Sequence, residues 1–117
     1  MAQSTDPSIR ILFGASTSLG PGKIALLEAI ARGGSISAAA REMGMSYRRA
    51  WLLVEAMNQA FQQAVVQAAV GGKRGGGAVI TPFGLDLLGR YRLIEAKAVA
   101  AVGSDLAALQ QLLSIAR

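Results

Sequence analysis

Residues Gly34 to Phe61 read GSISAAAREMGMSYRRAWLLVEAMNQAF, and this stretch decides the fold. Ser35 is placed to cap a helix, because its hydroxyl can accept from an amide that the first turn leaves without a partner. Ile36, Ala39, Ala40 and Met43 then recur at the spacing of one helical face. Gly44 ends that helix, where a left-handed backbone costs glycine little. Met45 spans the bend and Ser46 caps a second helix. The run Ala38-Ala39-Ala40 lets two helices approach closely. The stretch therefore predicts a helix-turn-helix: a short positioning helix, a turn containing glycine, and a longer helix free to enter a groove.

In the second helix Ala50, Leu53, Val54, Met57 and Phe61 form one apolar stripe at about 100° per residue. Arg48, Glu55 and Gln59 fall opposite, with Tyr47, Arg49 and Trp51 on the flanks near the N-terminal end. That end carries hydroxyls, guanidinium groups and rings of the kind that meet phosphates and base edges. Adjacent arginines alone would favour a solvated face. Their coincidence with the two-helix unit favours the groove.

Upstream, Met1 to Ser8 is expected to be a disordered lead-in. Ile9, Ile11 and Phe13 alternate with Arg10 and Leu12, which predicts a short strand with one face buried. Gly14 to Gly20 reads as a turn-rich connection. Gly20 and Pro21 open a helix whose apolar face is Ile24, Leu27, Ile30 and Ala31, with Ala25 and Leu26 at its margins, and Gly33-Gly34 ends it.

Downstream, Ala64–Val70 and Ala78–Thr81 predict two strands around the glycine-rich loop Gly71–Gly77, GGKRGGG. A phosphate-binding P-loop needs Gly-Lys followed by Ser or Thr at the start of a helix. Here Arg74 follows Lys73, between strands, so the loop reads instead as the wing of a winged helix-turn-helix. Lys73 and Arg74 would then reach phosphates or the minor groove. Thr81 caps a last helix with Pro82 in its first turn. Leu87, Leu88, Tyr91, Ile94 and Ala98 repeat along it at helical spacing. Gly103-Ser104-Asp105 is expected to interrupt or kink that helix before Leu106, Leu109, Leu112 and Leu113 continue the stripe. Such stripes beyond a compact domain call for a partner surface, and the same segment of a second chain supplies one.

The 117 residues suit one domain, and 52% hydrophobic content suffices for a core, although much of it is alanine. The net charge of +5 suits a polyanionic partner. Lys23 to Arg74 holds seven of the twelve basic residues against only Glu28, Glu42 and Glu55. The chain has no cysteine and no histidine. That removes disulfides, thiolate nucleophiles, the usual zinc ligands and imidazole bases. No enzyme activity, cofactor or metal is expected, and a reducing cytoplasm fits. No apolar run approaches the eighteen or so residues of a membrane span. The start MAQSTDPS lacks the basic n-region of a secretion signal.

Several segments together resemble the N-terminal DNA-binding domain of the molybdate-responsive transcriptional regulators, the ModE family. They are LGPGKIALLEAI (Leu19–Ile30), GSISAAAREMGMSYRRAW (Gly34–Trp51), Met57-Asn58, GGKRGGGA (Gly71–Ala78) and ITPFG (Ile80–Gly84). The resemblance spans roughly Ile9 to Glu95 and is most specific in MGMSYRRAW. It implies a winged-helix domain that dimerises through its first strand and long C-terminal helix. It also implies that Ser46, Tyr47, Arg48, Arg49 and Trp51 lie on the recognition helix, with Lys73 and Arg74 in the wing. Family members continue into a C-terminal domain that binds molybdate or tungstate. This chain ends at Arg117 with no room for that sensor: regulation supplied by another protein, a stand-alone DNA-binding member and a fragment of a longer chain each fit, and no effector site is assigned to any residue.

The expected architecture is mostly α with a small β-hairpin wing. Residues 1–8 form the lead, 9–84 the winged helix-turn-helix domain and 85–117 a helical dimerisation segment. The expected function is that of a homodimeric, sequence-specific regulator binding double-stranded DNA through Ser35, Ser46, Tyr47, Arg48, Arg49, Trp51, Lys73 and Arg74. The alternative is a helical interaction module that pairs with a fuller-length regulator.

Overall fold

A computed structural model describes residues 8–14, 17–69 and 77–114. In chain order its elements are β1 (Ile11–Phe13), β2 (Thr17–Leu19), α1 (Pro21–Gly33), α2 (Ile36–Met43), α3 (Tyr47–Ala60), β3 (Val66–Ala68), β4 (Ala78–Ile80) and α4 (Pro82–Gln110). It is mostly helical, with two small antiparallel hairpins, β1–β2 and β3–β4. The winged helix-turn-helix and the long last helix are both present.

Local chemistry sets the helix boundaries. Ser35 Oγ accepts from Ala38 N at 2.9 Å, Ser46 Oγ from Arg49 N at 3.1 Å and Thr81 Oγ1 from Gly84 N at 2.9 Å. Each cap satisfies a first-turn amide, a contribution of about 1 kcal/mol. Gly34 (φ 75°) and Gly44 (φ 69°) end α1 and α2 in the left-handed region, where a side chain would be strained. These are the caps and stops expected from the sequence.

The core lies where α1, α2 and α3 meet the β3–β4 hairpin. Leu26, Leu27, Ala29, Ile30, Ala39, Ala40, Ala50, Val54 and Met57 are buried there with Val65, Val66 and Ala78. Small alanines on facing helices permit close approach, and Leu and Ile supply most of the apolar area. A second cluster, Leu19, Ile24 and Tyr91, joins β2 and α1 to α4. Tyr91 donates its phenol to the carbonyl of Ile9, tying the chain start to α4. Burial pushes that phenol above its ordinary pKa, and the nearby Glu95 carboxylate adds to the rise. Arg92 reaches from α4 to both carboxylate oxygens of Glu28 on α1, at 2.9 and 3.0 Å, and also bonds Glu95 at 2.8 Å. These acids raise the pKa of its guanidinium.

Several expectations are corrected. Residues 17–19 are a strand, not part of a turn-rich connection; they pair with β1 as Ile11↔Leu19, Leu12↔Ser18 and Phe13↔Thr17. Tertiary burial of Leu19 under Tyr91 outweighs the weak strand preference of this segment. The alternation in β1 does not bury one full face: Ile9 and Ile11 are half-buried, whereas Phe13 is 53% exposed. In α1 Leu26 is fully buried and Ala31 is exposed, because the core wraps further round that helix than one stripe. Strand β3 is shorter than 64–70, and Thr81 serves as a cap beyond β4. Finally, α4 runs unbroken through Gly103-Ser104-Asp105. One glycine costs a helix about 1 kcal/mol, with less for Ser and Asp. Alanine and leucine on both sides of the triplet offset that penalty.

Candidate nucleic-acid interface

The first turn of α3 projects from the domain. Arg48 and Arg49 are exposed, as are Tyr47 (53%) and Trp51 (43%), while Ala50, Val54 and Met57 anchor the other side. Helical spacing divides the outward surface into a crest and two flanks. Arg48 occupies the crest. Tyr47 and Trp51, one turn apart, face the β3–β4 hairpin across a groove of about 310 Å³ that Asn58, Gln67 and Gly77 also line. Arg49 lies on the other flank, beside Leu53.

The groove has a fixed wall. Asn58 Oδ1 accepts from Val65 N at 2.7 Å and Val66 N at 3.1 Å, and its amide donates to Val66 O at 3.0 Å. One side chain on α3 thus holds the root of the hairpin. Thr81 completes the joint: its hydroxyl donates to Ala64 O at 2.7 Å and its amide to Val65 O at 3.0 Å. On the far strand Ala78 N donates to Gly34 O at 2.8 Å, linking β4 to the α1–α2 turn. The root of the hairpin is therefore held at a set angle to α3.

Charge is segregated over the surface. The ion pairs among the described residues are Arg32–Glu42, Arg90–Asp86 and Arg92 with Glu28 and Glu95. The exposed arginines of α3 have no acidic partner among the described residues. Exposed pairs of this kind contribute little to stability, at most about 1 kcal/mol each. Their distribution matters more, because it leaves the cations of α3 available to an outside anion.

The expected site residues fall into three groups. Tyr47, Arg48, Arg49 and Trp51 share one outward surface. Ser46 is exposed at its edge, with the hydroxyl engaged as the α3 cap, whereas Ser35 is half-buried at the start of α2 and engaged in the same way. Lys73 and Arg74 lie outside the described residues. Asn58, which holds the hairpin root, belongs to the Met57-Asn58 pair of the family resemblance but not to the expected site residues. Its role depends on the two backbone amides and the carbonyl it meets across the fold, contacts that helical periodicity cannot reveal.

Residues 22–85, from the start of α1 to the first turn of α4, match the family model of the bacterial regulatory helix-turn-helix proteins of the LysR family. The chain belongs to this family. Among characterised relatives it is 58% identical over 78 residues to the molybdenum-pterin-binding protein MopB of Rhodobacter capsulatus, an alignment covering 67% of this chain and 29% of MopB. It is 43% identical over 88 residues to the DNA-binding transcriptional dual regulator ModE of Escherichia coli K12, covering 73% of this chain and 34% of ModE. The ModE resemblance seen in the motifs is thus borne out across most of the chain. The chain spans about a third of the length of these relatives.

Solved structures agree on the fold. The CbnR DNA-binding domain in its DNA complex superposes with a TM-score of 0.57 at 18% identity, covering 76% of this chain and 95% of that one. Full-length LysG of Corynebacterium glutamicum gives 0.52 at 23%, covering 76% of this chain and 30% of LysG.

Proposed function

We propose that this chain is a dimeric, sequence-specific DNA-binding regulator of transcription linked to molybdenum metabolism, acting in the cytoplasm. One observation carries the reading: Tyr47, Arg48, Arg49 and Trp51 stand outward at the start of a helix whose other side is locked in the core. Kinship with ModE and MopB supports the molybdenum link. Each protomer lays the start of α3 in a major groove, with the two half-sites about one helical turn, or ~34 Å, apart. Arg48 on the crest is suited to a guanine edge, Tyr47 and Trp51 to apolar contact with thymine methyls, and the Ser46 hydroxyl to the backbone. Lys73 and Arg74 in the wing reach the adjacent phosphates, and Ser35 supports the same face from α2. Residues 85–117 pair with those of a second chain. The same exposed face of α4 favours a second reading, in which the chain pairs with a fuller-length regulator.

Selection of duplexes from a random pool, with and without molybdate, tests the function. A palindromic consensus unaffected by molybdate is expected from the residues in this chain, and no enrichment at all would refute sequence-specific binding. On the selected site, Arg48→Gln is expected to lose about 1–3 kcal/mol of discrimination, the scale of one good base contact. Equal loss on selected and scrambled duplexes would reduce Arg48 to a phosphate contact.

A further inference from the structure

On the flank of α3 opposite the wing lies a cleft of about 180 Å³, whose walls come from the β1–β2 hairpin, the start of α1 and α3. Three cations line it, Arg10, Lys23 and Arg49, with Ser18, Met45 and Leu53 between them, and no acidic residue does so among the described residues. We infer that this cleft seats a tetrahedral oxyanion, which in the DNA complex is a backbone phosphate of the duplex.

Three positive groups around one cavity repel one another and gain from an anion between them. Among the described residues neither Arg10 nor Arg49 has a carboxylate partner, which is equally true of Arg41, Arg48 and Lys97; what sets this cleft apart is that three cations share it. The cations are also built into place. Lys23, half-buried, donates from Nζ to Ser18 O at 2.9 Å, which holds the ammonium at the cleft and leaves further donors for a ligand. The stem of Arg10 lies against Gly20: a Cβ there would meet Arg10 Cβ and Cγ at 3.3 Å, so the bare glycine gives that stem its bed. The first turn of α1 contains no acid and no side-chain cap that would compete for the anion. Met45 and Leu53 add apolar wall, which reduces screening of the charges. Guanidinium forks with an ammonium suit the several oxygens of a phosphate better than a single carbonyl.

The choice of a duplex phosphate rests on the DNA-binding reading. With α3 in the major groove, its wing flank faces one strand's backbone and its Arg49 flank faces the other. The wing holds one side and this cleft the other, so the helix is gripped from both.

The test uses the whole chain carrying Arg10→Gln or Lys23→Gln, with Arg32→Gln as a control cation outside the cleft and outside residues 85–117. Duplex affinity is measured between 50 and 200 mM salt, and amide NMR spectra are recorded with inorganic phosphate against chloride at equal ionic strength. Loss of one phosphate contact lowers the salt slope by about 0.9, so affinity of the Gln variants should fall about 3.5-fold less than the parent's across that range. The loss should be the same on selected and scrambled duplexes, and Arg32→Gln should change nothing. Inorganic phosphate should shift the amides of Gly22, Lys23 and Arg49 in the parent and less in either Gln variant. Salt slopes unchanged, with phosphate shifts present, would assign the cleft to a free oxyanion. Neither effect, or a loss confined to the selected sequence, would overturn the inference. If the parent binds no duplex, the DNA reading fails on its own and the phosphate spectra still decide the cleft.

Discussion

Helices α3 and α4 both begin at a hydroxyl cap, Ser46 in one and Thr81 in the other, yet they expose opposite ends. In α3 the first turn stands free and burial begins at Ala50. In α4 the first turn is packed, Gly84 and Tyr91 are buried, and no later residue of the helix is. The two free ends also differ in kind. That of α3 is cationic and aromatic, at ease in water until a polyanion arrives. That of α4 continues the face of Leu87 and Tyr91 through Ile94, Ala98, Val102, Leu106 and Leu109. Ile94 is 47% exposed, Val102 40% and Leu109 59%. Leaving apolar area wet forgoes about 25 cal/mol per Å². A cationic helix start and an apolar helix end therefore call for different partners, and one chain offers both.

The contrast is broken most severely at Gly84. A Cβ there would lie 2.4 Å from the carbonyl oxygen of Val65 and 2.7 Å from Ile80 Cγ2. Neither the backbone at the hairpin root nor the first turn of α4 can yield without loosening the joint that orients the wing. Gly84→Ala is expected to cost about 3 kcal/mol, the upper range of overpacking. For a domain of this size that lowers the melting midpoint by more than about 10 °C. A midpoint within a few degrees of the parent would mean that α4 is not seated against the hairpin root.

The next effect belongs to the other end of the same helix. Ile94→Glu combined with Val102→Glu places two charges on the proposed pairing face and disturbs nothing buried. Sedimentation should show a dimer dissociation constant raised about a hundredfold, or about 2.8 kcal/mol, with circular dichroism unchanged. An unaltered monomer–dimer equilibrium would remove this face from self-pairing.

What the sequence discloses depends on how far each interaction reaches along the chain. The caps at Ser35, Ser46 and Thr81 each join a hydroxyl to an amide three residues on, so the motif alone exposes them. The outward set of Tyr47, Arg48, Arg49 and Trp51 follows likewise from the period of a single helix. Strand β2 is hidden because its existence depends on Tyr91 covering Leu19 from the far end of the chain. Leu26 looks marginal on a helical wheel because a wheel assumes one neighbour, whereas α1 is covered from several sides. Arg10 lies in no motif and Lys23 only within the Leu19–Ile30 segment, with no role attached to it, and only the assembled fold brings them beside Arg49.

The smallest expected effect returns to glycine, where α4 holds two residues of opposite character. Gly84 is hemmed in by backbone, but a Cβ at Gly103 meets nothing within 4 Å. The helix passes through Gly103 without a break, so that residue supplies no turn and only keeps the unfolded chain freer. Gly103→Ala should therefore stabilise the protein by about 0.5–1 kcal/mol. The measurement belongs first in the Ile94→Glu, Val102→Glu background, where the helix stands alone and the gain reflects helix propensity. In the parent, a gain of the same size would mean that the paired helices stay apart at this level. A loss there would mean that the second chain approaches the bare glycine closely, locating the crossing of the two helices at residue 103.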